Sequence, residues 1–252
     1  MTDAELLERL AATAREAGAR ILELFESGCG VSEKADCSPV TEADLAAEAI
    51  ILAALADYAP GIAVVAEEAC AAGRVPDIGG RFFLVDPLDG TRDFVDRGHD
   101  FTVNIGLIED GSPRLGVVQV PVTGDLYAGI VGAGAWREVD GVRRPIHVRR
   151  PPPAGPVALV SKSHYTPGTT MFLDRFGATE RRPVGSSLKY CLIAAGEADL
   201  SARDGPTSEW DTAASHAVLA AAGGRMETLD GKPLTYGKPG FRNPGLVAWG
   251  GF

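Results

Sequence analysis

The stretch from Phe82 to Thr91 reads FFLVDPLDGT and connects an apolar run to two carboxylates. The four apolar residues predict a buried strand that stops at Asp86. Pro87 and Gly90 favour a turn directly after this strand, because proline fixes one backbone angle and glycine adopts angles that other residues avoid. We therefore expect Asp86 and Asp89 to lie on one concave side of this turn.

Two carboxylates on one side of a turn suit a magnesium ion. Mg²⁺ prefers about six oxygen ligands, and one or two carboxylates joined by a backbone carbonyl, here that of Leu88, can supply part of this set. Gly90 and Thr91 are predicted to open a helix, whose free N–H groups can receive phosphate oxygens. Asp-Pro and Asp-Gly pairs also form ordinary tight turns, so the segment alone favours both interpretations equally.

Further acidic residues lie where other predicted elements begin or end. Glu67 and Glu68 follow a short apolar strand and could equally lie in a solvated loop. Asp211 opens a predicted helix, which an aspartate can cap without any further role. Asp44 lies three residues after Thr41 and could complete a capping box with it. Their joint occurrence, in this order, is what favours a functional site.

Apolar periodicity predicts a layered α/β protein with helices at both ends and strands between them. A capping box of Thr2 and Glu5 opens the first helix, which continues to about Phe25. Further helices are predicted over residues 43–57, 170–176, 188–195 and 211–222. Strands are predicted over residues 62–66, 82–85, 101–108, 115–122, 126–131, 157–161 and 246–249. The run Pro151–Pro153 predicts a surface loop or a lobe boundary, and we favour the loop.

Length and composition predict a folded catalyst or binding protein. The 252 residues are 45% apolar and 23% charged, and they carry a formal net charge of −10. Nucleic acid and anionic membranes repel such a chain, so an anionic ligand would have to be held by local cations. No apolar stretch reaches the length of about 20 residues that a membrane span needs.

Cysteines and arginine pairs bear on the location of the protein. The cysteines occur without CxxC spacing, and they are Cys29, Cys37, Cys70 and Cys191. Because the N-terminus also lacks a basic-then-apolar signal, we expect reduced thiols in the cytoplasm. The pairs Arg143–Arg144 and Arg149–Arg150 are interpreted as solvated loop charge, with weak peripheral contact to the inner face of the cell membrane left open. No particular oligomeric state is predicted.

The acids and their neighbours occur in an order that resembles the inositol monophosphatase superfamily of lithium-sensitive, metal-dependent phosphatases. That pattern is an aspartate, then Glu-Glu, then Asp-Pro-x-Asp-Gly-Thr, then Trp-Asp-x-x-Ala, and all of it is present here. Further segments are similar to the CysQ-type 3′(2′),5′-bisphosphate nucleotidases in particular. These segments are Ser38 to Asp44, Phe101 to Ile105, Gly185 to Lys189 and Gly205 to Thr207.

This resemblance implies a fold and a metal site. The fold would be an α-β-α-β-α sandwich of one domain over residues 1–252, with lobes of about 1–150 and 151–252. About two to three Mg²⁺ ions would be bound, and Li⁺ in a Mg²⁺ site would inhibit. The implied ligands are Glu67, Asp86, Asp89, Asp211 and the Leu88 carbonyl. Asp44 and Thr91 would orient the water that attacks phosphorus in line.

The resemblance also implies the substrate contacts. The amides of Gly90 and Thr91 would hold the transferred phosphate, while Ser186, Ser187 and Lys189 would contact the rest of a phosphorylated nucleotide. The metal-site residues expected to contact the substrate as well are Glu67, Leu88, Asp89 and Asp211. Lys189 could instead be a solvated helix lysine. The expected reaction converts adenosine 3′,5′-bisphosphate to AMP and phosphate.

Two departures from the pattern keep other functions open. Asp204 follows Arg203 where CysQ-like chains commonly have an aromatic residue, and it takes the place of an acid that contacts a sugar hydroxyl in inositol-type members. An inositol-1-monophosphatase or a related sugar phosphatase is therefore the alternative. Ala66 before Glu67 alters the lining and leaves the ligands unchanged. A non-catalytic phosphometabolite-binding protein of the same fold is a third interpretation.

Overall fold

The computed structural model describes residues 1–33, 39–205 and 207–252. Ser38 and Pro206 of the motif segments, and the cysteine Cys37, lie outside these residues. The helices are α1 (Asp3–Ser27), α2 (Glu42–Tyr58), α3 (Glu67–Ala71), α4 (Thr91–Val95), α5 (Pro167–Asp174), α6 (Leu188–Ala194) and α7 (Ala213–Ala221). The strands are β1 (Val31–Glu33), β2 (Pro39–Thr41), β3 (Ala63–Ala66), β4 (Arg81–Asp89), β5 (Thr102–Glu109), β6 (Ser112–Gln119), β7 (Leu126–Ile130), β8 (Gly134–Val139), β9 (Val142–Ile146), β10 (Val157–Val160), β11 (Glu180–Pro183), β12 (Leu200–Arg203), β13 (Thr207–Ser208), β14 (Arg225–Thr228), β15 (Arg242–Asn243) and β16 (Leu246–Trp249).

Both predicted N-terminal helices begin at a capping box. The Thr2 hydroxyl accepts the N–H of Glu5 at 3.2 Å, and the Glu5 carboxylate accepts the N–H of Thr2 at 2.7 Å. Thr41 and Asp44 cap α2 in the same way. These reciprocal bonds satisfy N–H groups that have no partner inside a helix, so the helix starts are fixed by local sequence.

A seven-stranded sheet in the order β3-β4-β5-β6-β7-β8-β9 forms the first β layer. β3 and β4 are parallel, and each later pair is antiparallel. The predicted meander is therefore confirmed, and it continues into a hairpin of β8 and β9 that the sequence pattern does not indicate. The reason is that β9 is exposed along most of its length and shows no apolar alternation.

A second sheet of five strands, in the order β11-β10-β12-β16-β14, forms the other β layer. α1 and α2 pack on one face of the first sheet, and α7 packs on its other face beside α6. α6 and α7 also contact β12 and β14, while α5 contacts β12. The side chains of β10 point alternately into the core around α6 and α7 and into the core beneath α5. The chain thus forms the predicted α-β-α-β-α sandwich.

Three glycines let α7 lie close against the first sheet. Gly106, Gly116 and Gly129 are directly paired neighbours on β5, β6 and β7, and we call them the glycine row. A Cβ atom on Gly116 would lie 2.3 Å from the carbonyl oxygen of Ala214, and one on Gly106 would lie 2.7 Å from its nitrogen. Side chains have no room here, so the glycine row seats the first turn of α7 on the sheet.

Two of the arginines expected to carry solvated charge are paired within the chain. Arg143 Nη1 lies 2.5 Å from Glu8 Oε1, and Arg143 Nε lies 2.7 Å from Glu138 Oε2. Arg149 donates two hydrogen bonds of 2.9 Å to Asp199. Both arginine side chains remain partly exposed, at 38% and 36%, so their charge is shared between solvent and these carboxylates. Less of this charge is available to an anionic membrane than the arginine pairs alone indicate.

The cysteines, the helices and the proline run bear on the remaining predictions from the sequence. Cys29, Cys70 and Cys191 are free thiols, as predicted for reduced cysteines. Within the described ranges, no helix is both long enough and apolar enough to cross a bilayer. Pro151–Pro153 lies in the irregular segment between β9 and β10, as expected for a loop.

Candidate active site

The Asp86–Asp89 segment stays within β4 instead of turning after Asp86. Asp86 pairs with Asn104 and Asp89 pairs with Thr102, so two residues of β4 lie opposite one residue of β5 in a β-bulge. Pro87 lies in this bulge, where its missing N–H does not remove a bond from a regular ladder. The predicted turn after Asp86 is therefore wrong, because the bulge lets the strand accommodate the proline.

The chain turns only at Gly90, which has a φ of 98°. A Cβ atom there would also lie 3.0 Å from the backbone oxygen of Asp100, so glycine is favoured on both counts. Gly90 and Thr91 do open helix α4, as predicted. Before the turn, Asp86 Oδ1 accepts the N–H of Leu88 at 3.0 Å, and this bond fixes the bulged backbone.

Asp86 lies at the centre of a group of buried carboxylates. It is 2% exposed, and burial raises its pKa well above the ordinary value. The carboxylates whose repulsion raises this pKa further are Glu67, Asp89, Asp211 and Asp44. A charge raises the pKa of a carboxylate only from nearby, so the fold gathers acids from four separate segments of the chain around one point.

Asp89 and Asp211 face the same group and are held by backbone N–H groups. Burial raises the pKa of Asp89 to about 6 and that of Asp211 to about 8. Asp89 Oδ2 accepts the N–H of Ser187 at 2.5 Å, and Asp211 Oδ2 accepts that of Ser208 at 2.9 Å. The N-cap residue of α7 is Thr212. The helix-cap interpretation of Asp211 is therefore wrong.

Asp44 caps helix α2 and also contacts Thr91 in the site. Its Oδ2 atom accepts the hydroxyl and the N–H of Thr41 at 2.6 and 2.8 Å, which completes the capping box. Its Oδ1 atom lies 3.1 Å from the hydroxyl of Thr91, which is also 3.1 Å from the carbonyl oxygen of Leu88. Burial raises the pKa of Asp44, and the bonds from Thr41 oppose that change. The predicted Asp44–Thr91 pair is thus in hydrogen-bonding contact.

Glu67 and Glu68 begin helix α3 directly after β3. Ala66 is the N-cap residue and offers no side-chain bond, but the buried Glu48 of α2 accepts the N–H of Glu68 at 2.8 Å. Glu68 is itself 5% exposed, so the solvated-loop interpretation is wrong for it. A glutamate from a neighbouring helix therefore fixes the start of α3 and with it the place of Glu67.

The loop before α6 brings a strained serine and a buried lysine to the site. Ser186 has a φ of 50°, which costs energy for a residue with a side chain. Ser187 donates its hydroxyl to Asn104 at 2.6 Å and lies 3.0 Å from the hydroxyl of Thr102. Lys189 is 5% exposed and donates to the Ser186 carbonyl, and burial lowers its pKa to about 8. The solvated-lysine interpretation is therefore wrong.

These residues border one cleft with a volume of about 250 Å³. The predicted site residues that line it are Glu67, Asp89, Gly90, Thr91, Ser186, Ser187, Lys189 and Asp211. Asp44, Asp86 and Leu88 are buried beneath this lining, in contact with it through the bonds and charges described above. All predicted site residues therefore meet at one place in the fold.

Further polar residues line the cleft without a role assigned from the sequence, and three of them carry a basic side chain near the end of a strand of the second sheet. Lys162 and His164 follow β10, and Arg203 ends β12. Their signal in the sequence is this place at or after a strand end, which Asp89 shares in the first sheet. Arg203 acts electrostatically on Asp89, Asp211 and Lys189. The cleft lining thus combines an acidic group, Glu67, Asp89 and Asp211, with a cationic group that includes Lys162, Lys189 and Arg203, and we call these groups the acidic wall and the cationic wall.

Asp204 does not occupy the position expected of it. It is absent from the cleft lining, and its carboxylate accepts the hydroxyls of Thr166 at 2.7 Å and Thr169 at 3.0 Å at the start of α5. These hydroxyls hold its pKa below the ordinary value. The Asp204 side chain is turned to helix α5 and away from the cleft lining, so its position does not support the expected contact with a sugar hydroxyl.

The donor set suits a hard divalent cation. Burying several carboxylates together is unfavourable unless a cation lies among them, and the Leu88 carbonyl adds a hard oxygen. Among the described residues, no three or more acidic, histidine or cysteine side chains converge closely enough to hold one ion by themselves. Mg²⁺ is commonly held by one or two carboxylates together with waters and substrate oxygens. The acids of this cleft can supply those carboxylates.

Comparison with known proteins decides the family. The sequence model of the inositol monophosphatase family matches residues 3–246. The chain belongs to this family. The acid pattern that runs from Asp44 to Asp211 is therefore the pattern of an inositol monophosphatase family member, and the family resemblance predicted from the sequence is confirmed.

Individual family members extend the comparison. The 3′(2′),5′-bisphosphate nucleotidase CysQ of Shigella flexneri is 44% identical over 244 residues, which are 96% of this chain and 98% of that protein. The crystal structure of CysQ from Bacteroides thetaiotaomicron has a TM-score of 0.81 at 34% identity and covers 96% of this chain and 97% of its own. Histidinol-phosphatase of Mycobacterium tuberculosis is 34% identical over 231 residues, 86% of this chain and 84% of that protein. The similarity to CysQ proteins is thus confirmed.

Proposed function

We propose that this inositol monophosphatase family member is a Mg²⁺-dependent 3′(2′),5′-bisphosphate nucleotidase that converts adenosine 3′,5′-bisphosphate to AMP and phosphate. The observation that carries the proposal is the lining of the cleft, which combines the acidic wall with cations that include Lys189 and Arg203. A substrate with two phosphates needs both walls, one to hold the phosphate that reacts and one to neutralise the phosphate that stays. The names of the similar CysQ proteins support the same substrate class.

The acidic wall would hold about two to three Mg²⁺ ions. The proposed ligands are Glu67, Asp86, Asp89, Asp211 and the carbonyl oxygen of Leu88. When bound, the ions would lower the pKa of water and offset negative charge on the transferring phosphoryl group. Because Asp89 is already held by the N–H of Ser187, a ligand position and the loop before α6 are physically linked.

Asp44 and Thr91 would position the attacking water. The Thr91 hydroxyl has a single proton and two acceptors at 3.1 Å, Asp44 Oδ1 and the Leu88 carbonyl, so it can donate to only one of them at a time. Its lone pairs remain able to accept a hydrogen bond from a water molecule in the cleft. As that water gives its proton to the Thr91 oxygen, the Thr91 hydroxyl proton would pass to Asp44 Oδ1, so that the carboxylate fixed by Thr41 is the final proton acceptor.

The cationic wall would select the substrate. Lys189 and Arg203 would face the non-reacting phosphate, and Ser186 and Ser187 would border the ribose, with the Ser187 hydroxyl fixed by Thr102 and Asn104. The amides of Gly90 and Thr91 would hold the transferred phosphate. Asp204 is bound to α5 and is not among the described residues that line the cleft, so it is not placed to bind an inositol ring hydroxyl.

A phosphate-release assay tests this proposal. The substrates are adenosine 3′,5′-bisphosphate, inositol 1-phosphate, fructose 1,6-bisphosphate and histidinol phosphate, each with and without Mg²⁺. We expect the highest kcat/KM for the adenosine bisphosphate, dependence on Mg²⁺ and inhibition by Li⁺. Faster hydrolysis of any other substrate would refute the nucleotidase assignment.

A matched pair of variants tests the metal wall itself. Asp89→Asn should abolish activity and weaken Mg²⁺ binding measured by calorimetry, because a carboxylate ligand is lost. Asp230→Asn changes an exposed aspartate that pairs with Lys232, and it should leave both unchanged. Unchanged activity of Asp89→Asn in a preparation free of other phosphatases would contradict the metal assignment.

A further inference from the structure

Lys162 joins parts of the cleft that are far apart in sequence. It follows β10, and its ammonium nitrogen lies 2.8 Å from Asp100 Oδ2 and 3.3 Å from Asp93 Oδ1. Asp93 belongs to α4, and Asp100 lies just before β5. Both acids therefore come from the segment that directly follows the Asp86–Thr91 motif. We call the pair of Asp93 and Asp100 the carboxylate clamp.

The carboxylate clamp also holds the loop that contains the strained serine. Asp100 Oδ2 accepts the N–H of Gly185 at 2.9 Å, and Asp93 Oδ2 accepts the N–H of Asp100 at 2.7 Å. A Cβ atom on Gly185 would lie 2.8 Å from the backbone oxygen and the Cβ atom of Asp100, so the two backbones touch. Asp89 holds the N–H of Ser187 on the other side. Ser186 is thus fixed between two carboxylate-bound amides.

Charge balance makes Lys162 necessary to this arrangement. The side chains of Asp93 and Asp100 are 20% and 23% exposed, so their repulsion is only partly screened by water. Lys162 is the cation that contacts both of them, and its own side chain is 35% exposed. Without it, the clamp would relax by moving the two carboxylates apart, and Asp100 would release the N–H of Gly185. Ser186 would then leave its strained backbone conformation.

We propose that Lys162 is a positioning residue for substrate binding, which acts through the carboxylate clamp to hold the loops after β10 and β11 in the orientation that binds the substrate. The proposal rests on the proposed function, because it assumes that Ser186 and Lys189 contact the substrate. The alternative is that Lys162 forms an ordinary surface ion pair, which contributes little to anything.

Steady-state kinetics distinguishes the positioning role of Lys162 from an ordinary surface ion pair. Lys162→Met keeps the length of the side chain and removes its charge, and we expect KM for adenosine 3′,5′-bisphosphate to rise about tenfold, with kcat changed by less than about threefold, because only binding geometry is lost. Lys162→Arg should restore KM, since a guanidinium can bind two carboxylates. Lys232→Met, at an ion pair whose lysine is 78% exposed, is the matched control and should behave as the wild type.

Hydrogen exchange tests the clamp without any substrate. In Lys162→Met, the peptide that contains Gly185 to Lys189 should exchange its amide hydrogens about ten times faster than in the wild type. Asp100→Asn, which keeps an acceptor for Gly185 and loses the charge that binds Lys162, should be intermediate. If Lys162→Met does not fold, Asp100→Asn is the variant that tests the clamp.

Each outcome decides one proposal. Unchanged exchange and unchanged KM in the variants would overturn the positioning role, as would a fall in kcat with no change in KM. If the wild type does not hydrolyse adenosine 3′,5′-bisphosphate, the proposed function fails, while the exchange measurement still decides whether Lys162 holds the loop.

Discussion

Gly116→Ala would test whether the glycine row places Asp211 in the active site. The added Cβ atom would lie 2.3 Å from the carbonyl oxygen of Ala214 and 2.8 Å from its Cα atom. Gly116 does not have a positive φ, so alanine fits the backbone of β6 and only the contact with α7 is at stake. The substitution therefore isolates the distance between this helix and the sheet.

The size of the effect follows from that contact. Ordinary van der Waals contact begins at 3.4 Å, so the helix must move by about 1 Å to relieve a separation of 2.3 Å. β6 is the central strand of the sheet and carries α1 on its other face, so α7 moves more easily than the strand. Overpacking of this kind costs about 1–3 kcal/mol of unfolding free energy, or roughly 2–12 °C of melting temperature.

Activity should fall further than stability suggests. Asp211 lies three residues before Ala214, and a displacement of about 1 Å in a catalytic group can cost on the order of 100-fold in kcat/KM. The assay is phosphate release from adenosine 3′,5′-bisphosphate at saturating Mg²⁺, with urea unfolding measured on the same preparations. Gly79→Ala, at a glycine with nothing within 4 Å, is the control. Full activity in Gly116→Ala would show that Asp211 does not depend on the glycine row.

Three further predictions address individual residues. Asp44→Asn should lower kcat by about 10²–10⁴-fold, because the charge that supports Thr91 is lost, while Mg²⁺ affinity measured by calorimetry changes little. Asp204→Asn should leave the ratio of kcat/KM for adenosine 3′,5′-bisphosphate and inositol 1-phosphate within about twofold, because this side chain does not line the cleft. Burial lowers the pKa of His216 from 6.5 to about 3, so below pH 6.5 the unfolded chain takes up a proton that the folded chain refuses. The stability that this group contributes is complete above pH 6.5 and is lost as the pH falls toward 3. Urea unfolding should therefore show a loss of about 2 kcal/mol of unfolding free energy between pH 7 and pH 5. His216→Asn should remove this loss.

Each of these has a result that would contradict it. Wild-type kcat in Asp44→Asn would remove the carboxylate from water activation. A tenfold or larger rise in the substrate ratio for Asp204→Asn would mean that Asp204 reaches the substrate after all. For His216, the control is His147→Asn at an exposed histidine, and an equal pH dependence in both variants would show that burial of His216 is not the cause.

Local sequence predicts those parts of the fold whose causes are local. The capping boxes of Thr2 and Thr41 depend on residues three positions apart, and both helix starts are where they were expected. The meander follows from alternation and turn residues within single hairpins. The five acids of the site could be recognised because their order along the chain is distinctive, although their meeting point depends on both sheets.

The features that differ from expectation depend on partners distant in sequence. In the bulge after Asp86, one residue of β5 lies opposite two residues of β4. This pairing depends on a second strand and cannot be recognised in the sequence of β4 alone. Asp204 turns away from the cleft because two threonine hydroxyls of α5 bind it. Arg143 pairs with Glu8, more than a hundred positions away, although it remains partly exposed. In each case the deciding group lies on another element.

Helix α7 has a consequence for the order in which the molecule can assemble. Its residues from Ala213 to Leu219 are all buried, because the first sheet covers one side and the second sheet the other. A helix that is buried on every side gains most of its stability from the layers that cover it and little from forming in water on its own. Its second cover includes β14, which pairs with β16. Asp211 is therefore expected to reach the other acids only once these two strands, which follow it in the sequence, have packed against α7.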